Sequence, residues 1–170
     1  MDNPLSDCQK CRGCCKFEAD EVYFAPLFTD QEVDGVNLVK NKANVPFNAY
    51  KNSDNIFQVK LIKSKKDESV YVCPYLDEES HLCSIYEKRP FDCKIWPFIF
   101  MKDKEGRILL CYDGELCPSN DHCSSDEFDS IKTKFLLWLD KNNILDFIKK
   151  YSQLVWDYED DMVIVKEIEL

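Results

Sequence analysis

Cys8-Gln9-Lys10-Cys11-Arg12-Gly13-Cys14-Cys15 places four thiols within eight residues. Cys73, Cys83 and Cys93 follow at intervals of ten, and Cys111, Cys117 and Cys123 bring the total to ten cysteines in 170 residues. That density is more than a chance scatter of buried thiols accounts for. Thiolates are soft ligands that favour zinc, copper(I) and iron–sulfur clusters over hard cations. Gly13 is the only residue free to take a left-handed turn between Cys11 and Cys14, so residues 1–16 read as coil wrapped around a metal. The fold that follows is a small, irregular α+β domain stapled by metal, with short antiparallel hairpins and a C-terminal helical region.

The spacing Cys8-x2-Cys11-x2-Cys14 lets three sulfurs of one loop converge on a cluster, as the first three cysteines of a bacterial ferredoxin loop do. Cys8-x2-Cys11 alone would equally suit a zinc knuckle. Adjacent Cys14 and Cys15 have diverging side chains in a strand or a helix, so the two sulfurs rarely face one compact site equally. Three arrangements follow: two metal centres sharing the pair, one larger cluster using both, or Cys15 as a small buried apolar residue. Eight ligands would divide evenly into two four-thiolate sites.

The remaining composition narrows the class. Hydrophobic content of 45% and aromatic content of 13% fit a globular chain, and 170 residues suffice for one domain with its own core. The formal charge of −10 repels phosphate backbones, which excludes nucleic acid as the expected partner. The dense basic group Lys63, Lys65 and Lys66 reads as a solvated turn. The N-terminus lacks the basic and apolar regions of a signal peptide. The longest apolar run, Ile95 to Met101, is far short of the roughly 18 residues of a membrane span. A cytoplasmic protein with no membrane association is expected, and a reducing cytoplasm turns clustered cysteines toward metal rather than disulfides.

Hydrophobic patterning supplies the elements. Glu21-Val-Tyr-Phe24 reads as a strand ended by Pro26. Thr29-Asp-Gln-Glu32 is a capping box that opens a short helix from Asp30 toward Val33, closing near Gly35. Residues 36–54 read as a loop. Phe57 to Leu61 alternates as a half-buried strand does, Ser64 to Ser69 turns the chain, and Val70 to Cys73 returns as the hairpin partner. Ile99-Phe-Met101 and Ile108-Leu-Leu110 suggest a second hairpin about Lys102–Gly106. Ser124 to Glu127 resembles another capping box. Phe128, Ile131, Phe135 and Leu139 then mark one apolar helical face that packs on the core. Asn142-Asn143 interrupts it and Ile144 to Tyr151 resumes it through Leu154 and Val155, giving one broken helix or two short ones. Met162 to Val165 reads as a final strand. With no repeat or linker, residues 1–170 form one expected domain, its metal-binding core at 8–118 and its helical extension at 124–158.

Around the later cysteines the chain reads Cys73-Pro-Tyr-Leu-Asp77, Cys83-Ser-Ile-Tyr86, Arg89-Pro90-Phe-Asp-Cys93 and Trp96-Pro97-Phe98. With Cys8-x2-Cys11-x2-Cys14-Cys15, these segments resemble the CxxCxxCC cysteine-cluster family, whose domain is described as zinc- or iron-chelating. The glycine departs from the commonest pattern, sitting one place later at Gly13. The resemblance covers residues 8 to about 118 and implies metal binding, with Cys117, followed by Pro118, as the last family-type cysteine. The candidate ligands are thus Cys8, Cys11, Cys14, Cys15, Cys73, Cys83, Cys93 and Cys117. Cys111 and Cys123 are read as non-ligands, and His81 and His122 as surface residues. Arg89 either offsets the negative charge of a thiolate centre or pairs with a carboxylate.

Thiolate number and the Cys14-Cys15 pair favour one or two iron–sulfur clusters, of the 4Fe–4S type. A carrier of electrons or an accessory in the maturation of a protein partner is the role expected. The alternative is a structural Zn2+ module for protein interaction, since closed four-thiolate sites contribute folding energy and leave no open position. No dinucleotide fingerprint, P-loop or nucleophile elbow is present, so a standalone enzyme is not expected and no small-molecule substrate can be named.

Overall fold

The reciprocal cap predicted at Thr29 and Glu32 is present in the computed structural model, which describes residues 15–39, 47–113, 125–160 and 162–169. Glu32 N–H donates to Thr29 Oγ1 at 3.3 Å, and Thr29 N–H donates to the Glu32 carboxylate at 2.9 Å. The predicted architecture is also present: a mixed α+β chain of helices and short, largely antiparallel strands, with helices toward the C-terminus. The described residues gather into two compact units, one ending at Lys94 and one starting at Ile95.

The first unit contains β1 (Lys16–Phe17), β2 (Leu27–Thr29), α1 (Asp30–Val39), β3 (Phe47–Ala49), β4 (Ile56–Val59), β5 (Ile62–Lys63), β6 (Tyr71–Val72) and the first four residues of α2 (Phe91–Ile95). Two three-stranded antiparallel sheets organise it, ordered β1-β6-β5 and β2-β4-β3. Its core draws Phe28 from β2, Val36 from α1 and Val59 from β4 onto Tyr75 and Ile85.

Several predicted boundaries move here. Glu21–Phe24 is not a strand. Val22–Phe24 forms one 3-10 turn with Tyr23 54% exposed, and the buried strand is the Leu27–Thr29 run that follows Pro26. The apolar run alone could not distinguish the two. Helix α1 passes Gly35 and runs to Val39, because no neighbouring atom lies within 4 Å of that glycine's missing Cβ and Val33 and Val36 still face the core. A lone glycine weakens a helix by about 1 kcal/mol without ending it. The predicted loop 36–54 accordingly holds the end of α1 and strand β3.

The first hairpin also changes partner. Strand β4 pairs with β2 and β3, and β6 returns along β5, with Ile62 opposite Val72 and Lys63 opposite Tyr71. The intervening turn is as expected. Ser64 Oγ accepts the N–H groups of Lys66 and Asp67 at 3.1 and 3.2 Å, and Ser64 N–H donates to Val70 O at 2.9 Å.

The second unit follows the sequence more closely. Strands β7 (Phe98–Lys102) and β8 (Ile108–Tyr112) form the predicted hairpin, its turn closed by Gly106 at φ +84°. Helices α3 (Ser125–Lys141) and α4 (Ile144–Lys150) come next, the break falling at the predicted pair with Asn143 left-handed at φ 51°. Ser124, the first residue of the second predicted capping box, lies outside the described residues.

The chain finishes with β9 (Trp156–Asp157) and β10 (Val163–Ile168), giving a sheet ordered β10-β8-β7-β9 in which only β9 runs parallel to its neighbour β7. Strand β9 has no counterpart in the sequence reading. A register shift interrupts β10 between Ile164 and Lys166.

The alternation of β7 and β8 gives both faces of the hairpin a partner. Phe98 and Tyr112 turn toward the helices. The Phe98 ring stacks on Phe135 of α3 at 4.1 Å, and Tyr112 meets Phe128 at 4.6 Å. Met101, Leu109 and Cys111 form a cluster on the other face, covered by Trp156, Tyr158 and Met162. Among the described residues no helix is long and apolar enough to cross a membrane.

Candidate metal centre

Cys15, Cys73 and Cys83 all lie in the first unit, in or against its apolar core. Strand β1 starts immediately after Cys15 and pairs with β6, which ends immediately before Cys73, so the ladder brings the two cysteines side by side. A backbone bond joins them directly, from Cys73 N–H to Cys15 O at 3.0 Å. Cys73 then opens a reverse turn in which Leu76 N–H donates to Cys73 O at 2.9 Å, and an antiparallel bridge pairs Leu76 with Cys83. Cys83 opens a second turn of the same kind, closed by Tyr86 N–H to Cys83 O at 3.2 Å. Ser84 clasps the first turn from the second, its N–H and its hydroxyl both donating to Tyr75 O at 2.8 Å.

The environment of these thiols is apolar and shared. Cys73 belongs to the buried core of the unit, and half-buried Cys15 and Cys83 pack against that core. Tyr75 is only 1% exposed. Burial first, and then the charge of Cys73 and Cys83, push its hydroxyl up to about 12.

Cys93 stands on α2 in the same unit, half-buried, and carboxylates hold the start of that helix. Glu32 accepts Phe91 N–H at 2.7 Å through the oxygen its own cap leaves over, and Asp92 accepts Leu27 N–H at 3.0 Å. Helix α2 is thereby tied to the beginning of α1 and to β2. On the segment between Cys83 and Cys93, Arg89 is 8% exposed and lies over the Tyr86 ring at 4.3 Å. It makes no ion pair among the described residues. The carboxylate-pairing alternative for Arg89 thus has no partner there.

Of the eight candidate ligands, the structure places Cys15, Cys73, Cys83 and Cys93 in one unit, with Cys73 in its apolar core and Cys15 and Cys83 packed against that core. Cys8, Cys11, Cys14 and Cys117 lie outside the described residues, as do Cys123 and His122. Among the described residues no three of His, Cys, Asp and Glu stand as a group that could hold a metal ion. The four cysteines of the unit nevertheless match, in donor type, the soft ligands that zinc and iron–sulfur centres take. Cys111 lies in the second unit, 0% exposed, with burial pushing its thiol up to about 11. Cys111 packs there as an apolar group, in a cluster with Met101 and Leu109. His81 is a half-buried left-handed turn residue at φ 57°.

Sequence reasoning did not single out Tyr75 or the second role of Glu32. The capping-box motif identified Glu32, yet its bond to Phe91 spans 59 residues and leaves no local signal. Tyr75 lies inside the quoted Cys73-Pro-Tyr-Leu run, where no periodicity indicates which way the ring turns.

Comparison with known proteins adds one match. A family model, CxxCxxCC, described as "Putative zinc- or iron-chelating domain", matches residues 7–124. No curated protein and no solved structure matches the chain.

Proposed function

Because the chain belongs to the CxxCxxCC family of zinc- or iron-chelating domains, we propose that its cysteines hold one or two iron–sulfur clusters of the 4Fe–4S type. The observation that supports this reading is the pair of turns opened by Cys73 and Cys83, whose cysteines lie in and against the same apolar core as Cys15. Cys15, Cys73, Cys83 and Cys93 are the described ligands. Cys8, Cys11, Cys14 and Cys117 supply the rest of the donor set by their place in the motif. An iron–sulfur centre contributes one-electron transfer at a potential set by charge, hydrogen bonding and exposure.

The protein's own residues then have separate tasks. The β1–β6 ladder presents Cys15 and Cys73 together, Ser84 locks the two turns, and Glu32 with Asp92 fixes the helix that bears Cys93. Apolar packing about Tyr75 limits water around the sulfurs. With no substrate-handling motif, the role is to transfer electrons to a protein partner or to assist its maturation, in the cytoplasm. The chain's charge of −10 suits a partner with a basic face.

The second reading is a structural zinc module. The family description favours it equally, and a closed thiolate set would supply folding energy without chemistry. Anaerobic purification followed by iron, sulfide and zinc analysis, with absorption and electron paramagnetic resonance, separates the two. Brown protein with comparable iron and sulfide is expected. Colourless protein holding only zinc would end the iron–sulfur reading.

A further inference from the structure

We propose that Cys15 and Cys73 form a redox pair, two cysteines set opposite one another on adjacent strands that close to a reversible disulfide. Three observations carry it. The β1–β6 ladder matches Lys16 with Val72 and Phe17 with Tyr71, so one step beyond Lys16 it sets Cys15 opposite Cys73. The hydrogen bonding of the ladder reaches that far, because Cys73 N–H donates to Cys15 O at 3.0 Å. Cys73 also belongs to the buried core of the first unit, and Cys15 packs against the same core.

Directly opposed residues of an antiparallel pair share a face, with Cα atoms about 4.5–5.5 Å apart. A disulfide needs Cα atoms roughly 4.4–6.8 Å apart, so this register holds the two backbones at bonding distance. Cys83 is placed differently, since its bridge partner is Leu76. Exposure divides the roles within the pair. Cys73 is 7% exposed and Cys15 only half-buried, so an incoming oxidant meets Cys15 first. The oxidant is a low-molecular-weight disulfide such as oxidised glutathione. The Cys15 thiolate attacks one of its sulfurs, forming a mixed disulfide and expelling one thiolate. The Cys73 thiolate then attacks the Cys15 sulfur, forming the Cys15–Cys73 bond and expelling the second. Two protein thiols lose two electrons, the external disulfide becomes two thiols, and the two protein protons pass to the released thiolates. Cysteines that cycle in this way in a reducing compartment act as redox sensors. Closure also withdraws two candidate ligands, a consequence that rests on the metal reading above.

The test uses the full chain, treated with chelator and reductant and then equilibrated anaerobically with reduced and oxidised glutathione at a series of ratios. Remaining thiols are alkylated, and trypsin with a glutamate-specific protease cuts between Cys73 and Cys83. Tandem fragmentation distinguishes Cys15 from Cys14, which stays on the same peptide. Ten cysteines leave Cys15 nine possible partners, so unselective oxidation would put Cys73 in about one in nine of its bonds. Cys73 should instead account for most of them, and dithiothreitol should reverse the linkage. In Cys73→Ser, Cys15 should stop at the mixed disulfide and carry one glutathionyl group. In Cys15→Ser, Cys73 should stay reduced at the ratios that close the wild-type pair.

Bonds of Cys15 spread evenly over the other cysteines, or Cys73 found mainly on Cys83, would overturn the pairing. A Cys73→Ser chain whose Cys15 takes up no glutathione would overturn the order of attack. Zn2+ and iron uptake by the same samples separates this inference from the metal reading. Selective linkage in a chain that takes up neither metal when reduced would support the pair and overturn the metal reading. Unselective linkage in a chain that loads metal when reduced would overturn the pair alone.

Discussion

Replacing Glu32 by alanine tests how the unit that holds Cys15, Cys73 and Cys83 also holds Cys93. The carboxylate accepts Thr29 N–H at 2.9 Å and the Thr29 hydroxyl at 3.0 Å through one oxygen, and Phe91 N–H at 2.7 Å through the other. Alanine deletes half of a capping box, worth about 1 kcal/mol. It also deletes a charge-assisted bond worth about 1.5–3 kcal/mol and leaves two part-buried N–H groups unsatisfied. The sum is about 2.5–4 kcal/mol, large against the 5–15 kcal/mol typical of a folded domain. At this chain length that corresponds to a fall of roughly 5–16 °C in Tm.

Urea titration followed by circular dichroism measures the stability. Amide exchange at Thr29 and Phe91 locates the loss, which should be greatest at these two positions. Glu32→Gln keeps one acceptor oxygen and should fall between alanine and wild type. Because Cys93 lies two residues beyond Phe91 on α2, the alanine variant should also release metal faster. A stability change below about 0.5 kcal/mol, with wild-type exchange at Phe91, would refute the claim that this carboxylate joins the two helices.

Three other outcomes are expected. Cys73→Ser and Cys83→Ser should each lower bound metal per chain while Cys111→Ala leaves it unchanged; full loading of both serine variants, read by elemental analysis, would contradict the assigned ligands. Cys111 has its folded pKa raised to about 11 from an ordinary 9.0, so it favours the folded state below pH 9 and this contribution is lost as pH rises through 11. Wild type should therefore lose stability relative to Cys111→Ala over that window, in urea titrations at each pH, and parallel curves would contradict it. Phe135→Ala should cost about 3–5 kcal/mol, because the ring is fully buried and stacked on Phe98, and tryptophan fluorescence during thermal unfolding reads this directly.

The parts of this chain legible in its sequence are those whose information is local. The hairpin from Ile99 to Leu110, the helical face Phe128–Leu139 and the break at Asn142-Asn143 each declare themselves within a dozen residues, and all three are present. The reading fails where an element is too short to have a period. Strands β1, β5 and β6 are two residues each, so nothing in Ile62-Lys63 or Tyr71-Val72 specifies which neighbour it takes. The Val22–Phe24 turn was missed because an apolar triplet suits a strand as well as a 3-10 turn. For the site, motif spacing singled out candidate cysteines. It could not show that the two cysteine-opened turns clasp one another, because the Leu76–Cys83 bridge and the Ser84–Tyr75 bonds arise only once the turns fold together.

The register shift in β10 has a consequence for how copies of this chain behave in a crowded solution. Val163 and Ile164 are about half exposed on a strand with β8 as its only sheet neighbour among the described residues. A straight apolar strand in that position would template pairing between molecules. The shift before Lys166 bends the strand out of the flat geometry that such pairing needs, and Lys166 and Glu167 add charges that resist stacking. The same irregularity that shortens the ladder thus works against pairing between molecules at this strand.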